Sequence, residues 1–204
     1  MKIVELFKIS LDELMNNFSK YSPFYFMLLF LSFLDSISEF LIPKYAENVN
    51  IIFSLLIFFS MLVVTVMFIR TQKLDSKNGD FWYLFIPFLL YTIYYSIIML
   101  LGFILIFIPG ILFYYVPIIA TMGTKGATPF KSSIKMVKKN WRMAAFLSIS
   151  SFLLELLPLS FKLIPNLSIR IFVDGIFSIV DCGLYLVLTL MTVKMFYIEF
   201  SNEI

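Results

Sequence analysis

From Val49 to Ile69 the chain reads VNIIFSLLIFFSMLVVTVMFI, without one charged side chain, and stops on Arg70. Backbone N–H and C=O groups placed in hydrocarbon must satisfy one another, and a helix of about 20 apolar residues does this while crossing a bilayer. The run therefore predicts a transmembrane helix. Five more segments read the same way, at 21–42, 81–107, 110–123, 143–157 and 169–198. Hydrophobic residues make up 61% of the 204 and charged ones 14%, against about 45–50% and 25% in a soluble domain. The expected fold is all-α, one polytopic membrane domain over 1–204 with six transmembrane helices.

Two further segments are amphipathic. In 3–18, Phe7, Leu11, Leu14 and Phe18 share one helical face. In 128–142, TPFKSSIKMVKKNWR, Thr128 reads as an N-cap with Pro129 at the first helical position. Phe130, Ile134, Val137 and Trp141 form its apolar stripe, and Lys131, Lys135, Lys138 and Arg142 repeat that spacing one residue later, with Lys139 beside them. A basic stripe flanking an apolar one predicts a helix lying on an anionic membrane surface. Both segments are expected to be interfacial elbow helices, and the five cations a surface for lipid or a partner. Between spans, Pro109-Gly110 predicts a turn or sharp kink, and Phe81-Trp82-Tyr83 an aromatic belt at the headgroup level. The charged N-terminal segment lacks a continuous apolar core and does not read as a signal peptide.

Basic residues set the orientation. With both termini cytoplasmic, 13 of the 16 fall inside: Lys2, Lys8, Lys20, Arg70, Lys73, Lys77, Lys125, Lys131, Lys135, Lys138, Lys139, Arg142 and Lys194. The outer connectors keep 3, Lys44, Lys162 and Arg170. The positive-inside rule then predicts cytoplasmic N- and C-termini.

The elbow helices also match each other. A shift of 123 places Phe7 on Phe130, Lys8 on Lys131, Ser10 on Ser133, Leu11 on Ile134, Leu14 on Val137, Asn17 on Asn140 and Phe18 on Trp141. Each is followed by a span, a connector with Leu-Ile-Pro (41–43 and 163–165) and another span. This predicts a parallel internal repeat, 3–70 and 128–198, with its axis along the membrane normal. Any two amphipathic helices share periodicity; the paired Asn-aromatic ends favour duplication.

In the central third, an apolar span leads to Ile108-Pro109-Gly110-Ile111, a short span, Gly126, Phe130, Ser133 and Asn140-Trp141. This order resembles the membrane domain of bacterial glycerophosphoryl diester phosphodiesterases, and is similar to related six-span bacterial membrane protein families of unknown function. The fused members owe catalysis to a soluble barrel that is absent here. The resemblance thus implies a multi-pass protein of the bacterial cytoplasmic (inner) membrane and no enzymatic activity.

Chemistry-bearing candidates are few. There is no histidine, the commonest general base and metal ligand, and one cysteine excludes an intramolecular disulfide. No phosphate loop, paired metal ligands or nucleophile–base pair can be assembled, so no catalytic residue, metal or cofactor is expected. Acids inside spans remain, each costing about 2.5–3.5 kcal/mol at a helix centre. Asp174 and Asp181 share a face with Ser178; Asp35 and Glu39 share one with Ser32 and Ser36; Glu155 lies toward the outer part of the fifth span. Asp35, Glu39, Glu155 and Asp174 also have an ordinary reading, snorkelling outward or meeting Lys44, Lys162 and Arg170. Asp181 is deepest, with no cation in its own span. Cys182 reads as a packing residue, and Gly102, Gly175 and Gly183 as places of close helix approach.

These features point to a non-enzymatic membrane protein in transport or envelope and lipid maintenance, with membrane lipids as partners and no nucleic acid. One alternative is the permease subunit of an ATP-driven transporter, gripped by a cytoplasmic ATPase. Another is a small proton- or cation-coupled carrier using the intramembrane acids.

Overall fold

The computed structural model describes residues 3–41, 46–71, 81–102, 108–122, 126–161 and 163–201 of the chain. Among these residues the architecture is all-helical. In order come α1 (Ile3–Asn16), α2 (Phe18–Leu41), α3 (Ala46–Thr71), α4 (Phe81–Gly102), α5 (Ile108–Leu112), α6 (Val116–Ala120), α7 (Thr128–Lys139), α8 (Trp141–Phe161) and α9 (Leu167–Ser201). Among the described residues, four stretches are long and apolar enough to cross a membrane: Phe18–Ser38, Asn48–Thr71, Phe81–Ile98 and Leu167–Ile198. Two shorter apolar helical stretches, Ile108–Ala120 and Trp141–Leu154, accompany them.

The long helix α9, at 35 residues about 50 Å, organises the bundle by packing against α1, α2, α3 and α8. α2 and α3 form an antiparallel hairpin, with Tyr21 and Phe68 rings 5.1 Å apart near one end. Buried side chains gather at that end. Leu28, Val64, Val66, Phe68 and Ile69 pack there with Leu190, Met191 and Phe196 of α9. Toward the other end, Phe30, Phe33, Ile51, Ile52 and Leu55 are exposed, as residues facing acyl chains would be.

Local chemistry explains the irregularities. Pro23 cannot donate to the Ser19 carbonyl, and the Ser22 hydroxyl does so at 3.3 Å. Thr128 is not an N-cap: Ala127 takes that place without a side-chain cap, and Thr128 begins the helix. Pro109-Gly110 is likewise not the break. Both sit inside α5, because a proline in the first turn displaces no intrahelical bond. The helix interrupts later, between Leu112 and Val116. Residues 103–107, the end of the third expected span, lie outside the described residues, as do Lys44, Lys73, Lys77, Lys125 and Lys162.

The amphipathic helices end at Asn16 and Lys139 rather than running on to 18 and 142. Their packed faces are rotated from the expected stripes. α1 buries Leu6, Ser10 and Leu14, and α7 buries Pro129, Ser133, Met136 and Val137. Phe18 and Trp141 point outward, 47% and 61% exposed. Three buried positions of α1 coincide with three of α7 under the same shift of 123 residues: 6 with 129, 10 with 133, 14 with 137.

Candidate functional site: a polar seam between two spans

α2 and α9 run antiparallel, so Ser32 and Ser36, one turn apart, meet Ser178 and Asp174, one turn apart. The Ser36 hydroxyl lies 2.5 Å from Asp174 Oδ2. Ser32 and Ser178 Oγ atoms lie 2.8 Å apart. Ser178 donates to the Asp174 carbonyl, so the hydroxyl proton between the two serines comes from Ser32. Two turns along α2 from Ser32, the Tyr25 hydroxyl donates to the Ile179 carbonyl at 3.1 Å. Each helix face thus carries polar groups at a spacing that turns them toward the other.

Asp181 continues this line. Its side chain is half-buried, and Oδ1 is enclosed by protein without a hydrogen-bond partner among the described residues. Asp35 is half-buried beside Ser36, and its carbonyl accepts from Ser38 Oγ at 2.7 Å. Ser38 also reaches Asn50 Oδ1 on α3. Glu39 and Glu155 belong to α2 and α8, but their side chains lie outside the described residues. Among the described residues no group of three or more His, Cys, Asp or Glu is placed to hold a metal ion. Cys182 is buried, 5% exposed. Gly175 and Gly183 face α2, yet a Cβ on either would meet Phe33 or Tyr25 at 4.0 Å. That is an ordinary contact, so the packing does not depend on glycine there.

Lys131, Lys135, Lys138, Lys139 and Arg142 are all exposed, and the Arg142 guanidinium sits 5.9 Å from the Trp141 ring centroid. α7 is nonetheless fastened to the bundle. Ser133 Oγ donates to the Leu112 carbonyl at 2.8 Å and accepts from the Tyr115 N–H at 3.3 Å. It thereby satisfies an acceptor and a donor freed where α5 and α6 part. Nearby, the Tyr114 hydroxyl bonds Thr192 at 2.9 Å and lies 3.3 Å from Ser151.

Other fastenings are not readable as sites from composition. Tyr185 donates to the Met61 carbonyl at 3.2 Å and lies 3.3 Å from Thr65 Oγ1. Lys194 pairs with Glu13 at 2.5 Å, tying α1 to α9. On charge alone Lys194 is one more cytoplasmic cation. Its position within an otherwise uncharged run of α9 is the signal that it needs a partner. Compared with protein-family profiles, curated proteins and solved structures, the chain finds no match in any of the three.

Proposed function

We propose that this is a non-enzymatic, multi-pass protein of the bacterial cytoplasmic membrane, working in transport or in envelope and lipid maintenance. The observation that carries a transport role is the seam: Ser32, Ser36, Ser178 and Asp174 bonded between two spans, with the half-buried Asp181 and its enclosed Oδ1 further along α9. A carboxyl oxygen without a hydrogen-bond partner inside a membrane helix is costly to fold, and intramembrane acids mark ion, proton or substrate paths. Reconstituted vesicles test this. Proteoliposomes holding the full chain and a pH-sensitive dye are given a membrane potential, then challenged with amino acids, sugars and metal cations. Flux that depends on Asp181 is expected. Wild-type vesicles as tight as protein-free ones under every challenge would end the reading.

The six-span arrangement is part of the same proposal. α8 over its full 21 residues is about 31 Å long, enough for a bilayer core. The segment 108–120 is about 20 Å at most and would be the short fourth span. With both termini cytoplasmic, the well-packed end of the bundle faces the cytoplasm. The shared burial of 6, 10 and 14 with 129, 133 and 137 supports a parallel duplication. A second reading, the permease subunit of an ATP-driven transporter, is favoured by the four exposed lysines on α7, with Arg142 at the start of α8, and by the fastening of α7 to the bundle.

A further inference from the structure

Near the well-packed end, α2 and α3 leave a cavity of about 290 Å³ between them, with α9 behind. Phe24, Val64, Met67 and Leu186 line its walls, and Lys20 and Thr71 its polar end. We propose that this cavity holds part of one acyl chain of an anionic glycerophospholipid, with the phosphate at Lys20 and Arg70.

Size and chemistry both lead there. The volume lies at the lower edge of ligand pockets, about 300 Å³, so it suits part of a chain rather than a whole lipid. Apolar walls offer nothing to a hydrated ion or a sugar. The cations stand at the ends of their helices: Lys20 in the first turn of α2 and Arg70 in the last turn of α3. Lys20 is exposed, with its ammonium 5.6 Å from the Tyr21 ring centroid, and it makes no ion pair among the described residues. The carboxylate that Tyr21 approaches at 3.5 Å, Glu13, is already held by Lys194. Arg70, next to Thr71, is exposed on the neighbouring helix. Two cations on adjacent helix ends, above an apolar cavity, match a phosphodiester carried on an acyl chain. The site is separate from the seam, and its success or failure does not depend on flux through Asp181.

The full chain in detergent is tested by native mass spectrometry with phosphatidylglycerol, phosphatidylcholine or laurate, and by photo-crosslinking. The crosslinker is a phosphatidylglycerol with a diazirine near the end of one chain. Retention of phosphatidylglycerol over phosphatidylcholine is expected, falling about fivefold for each cation removed in Lys20→Gln and Arg70→Gln. Crosslinks should map to Phe24, Val64 or Met67 and disappear in Val64→Phe, which fills the cavity. Should Val64→Phe not fold, the two surface variants still decide. Equal retention of phosphatidylcholine, unchanged binding in the surface variants, or crosslinks spread over outward residues such as Phe30 and Ile52 would overturn the site. Laurate displacing phosphatidylglycerol would make the ligand a fatty acid and overturn the phospholipid assignment.

Discussion

Asn17 and Asn140 make the same backbone hydrogen bonds at the two elbows. Each N–H donates to the carbonyl four residues back, Glu13 or Met136. Each carbonyl accepts from residues three and four ahead: Lys20 and Tyr21 at the first, Met143 and Ala144 at the second. Asparagine suits such a break because its short polar side chain competes with the helix backbone. At Asn17 the side-chain amide also donates to the Glu13 carbonyl, at 3.0 Å.

If the elbows are copies, α1 and α7 lie at one depth on one face. Spin labels at Val4→Cys, Ile9→Cys, Lys131→Cys and Lys138→Cys, in a chain carrying Cys182→Ser, are expected to show interfacial oxygen and nickel accessibilities in the same leaflet. Labels reporting opposite leaflets would end the duplication.

Ser10 and Ser133 occupy the same place in their helices and are both 0% exposed, but their energetics differ. Ser133→Ala removes the hydroxyl that bonds both the Leu112 carbonyl and the Tyr115 N–H, a loss of about 1–3 kcal/mol. Ser10 Oγ has no partner among the described residues, so Ser10→Ala is expected to be neutral or slightly stabilising. Thermal unfolding in one detergent checks both. Equal effects would contradict the geometry.

The seam's two carboxylates should separate stability from function. Asp181→Leu removes an enclosed oxygen without a partner and is expected to raise stability by about 1–3 kcal/mol. Asp174→Ala should cost about 1 kcal/mol, since Ser36 keeps the Ser32 carbonyl as an acceptor. A stabilised Asp181→Leu chain that retained full transport would remove Asp181 from the mechanism.

Orientation is checked by labelling single cysteines from outside intact cells on a Cys182→Ser background. Lys162→Cys is expected to react; Lys77→Cys and Lys135→Cys are expected to be protected. The reverse pattern would invert the charge-based topology.

Reversing charge on α7 should act at the surface alone. With Lys135→Glu and Lys138→Glu together, the spans are expected to insert normally. Contact with anionic lipid or an acidic partner should weaken by about 1 kcal/mol for each lysine lost, more for reversal. A fluorophore at Lys131→Cys, compared in anionic and neutral vesicles, reads this out. Identical responses in wild-type and reversed chains would remove the basic face from membrane or partner contact.

How much of this was legible follows from what helical periodicity encodes. Spacing alone puts Ser32 with Ser36, and Asp174 with Ser178 and Asp181, on shared faces. Packing then had only to turn those faces together. The orientation of α1 and α7 was not legible in the same way. Periodicity selects the large apolar stripe, but Phe18 and Trp141 gain as much against acyl chains as against protein. Small residues such as Ser10 and Ser133 instead let helices approach closely, and they take the inner face. The break after Leu112 was displaced from Pro109-Gly110 for a related reason. A helix inside a membrane interrupts where a neighbouring side chain can satisfy its backbone, and that side chain is Ser133, 21 residues downstream of Leu112.

The two hydrogen bonds of Ser133, one donated and one accepted, make α7 a lever. Sliding the helix out of register would take the same hydroxyl from a carbonyl and an amide together, at a side chain that is fully buried. α7 and the 112–116 joint therefore move as one piece or not at all. Force applied to the exposed lysines of α7 would be delivered through Ser133 to the peptide groups where α5 and α6 meet.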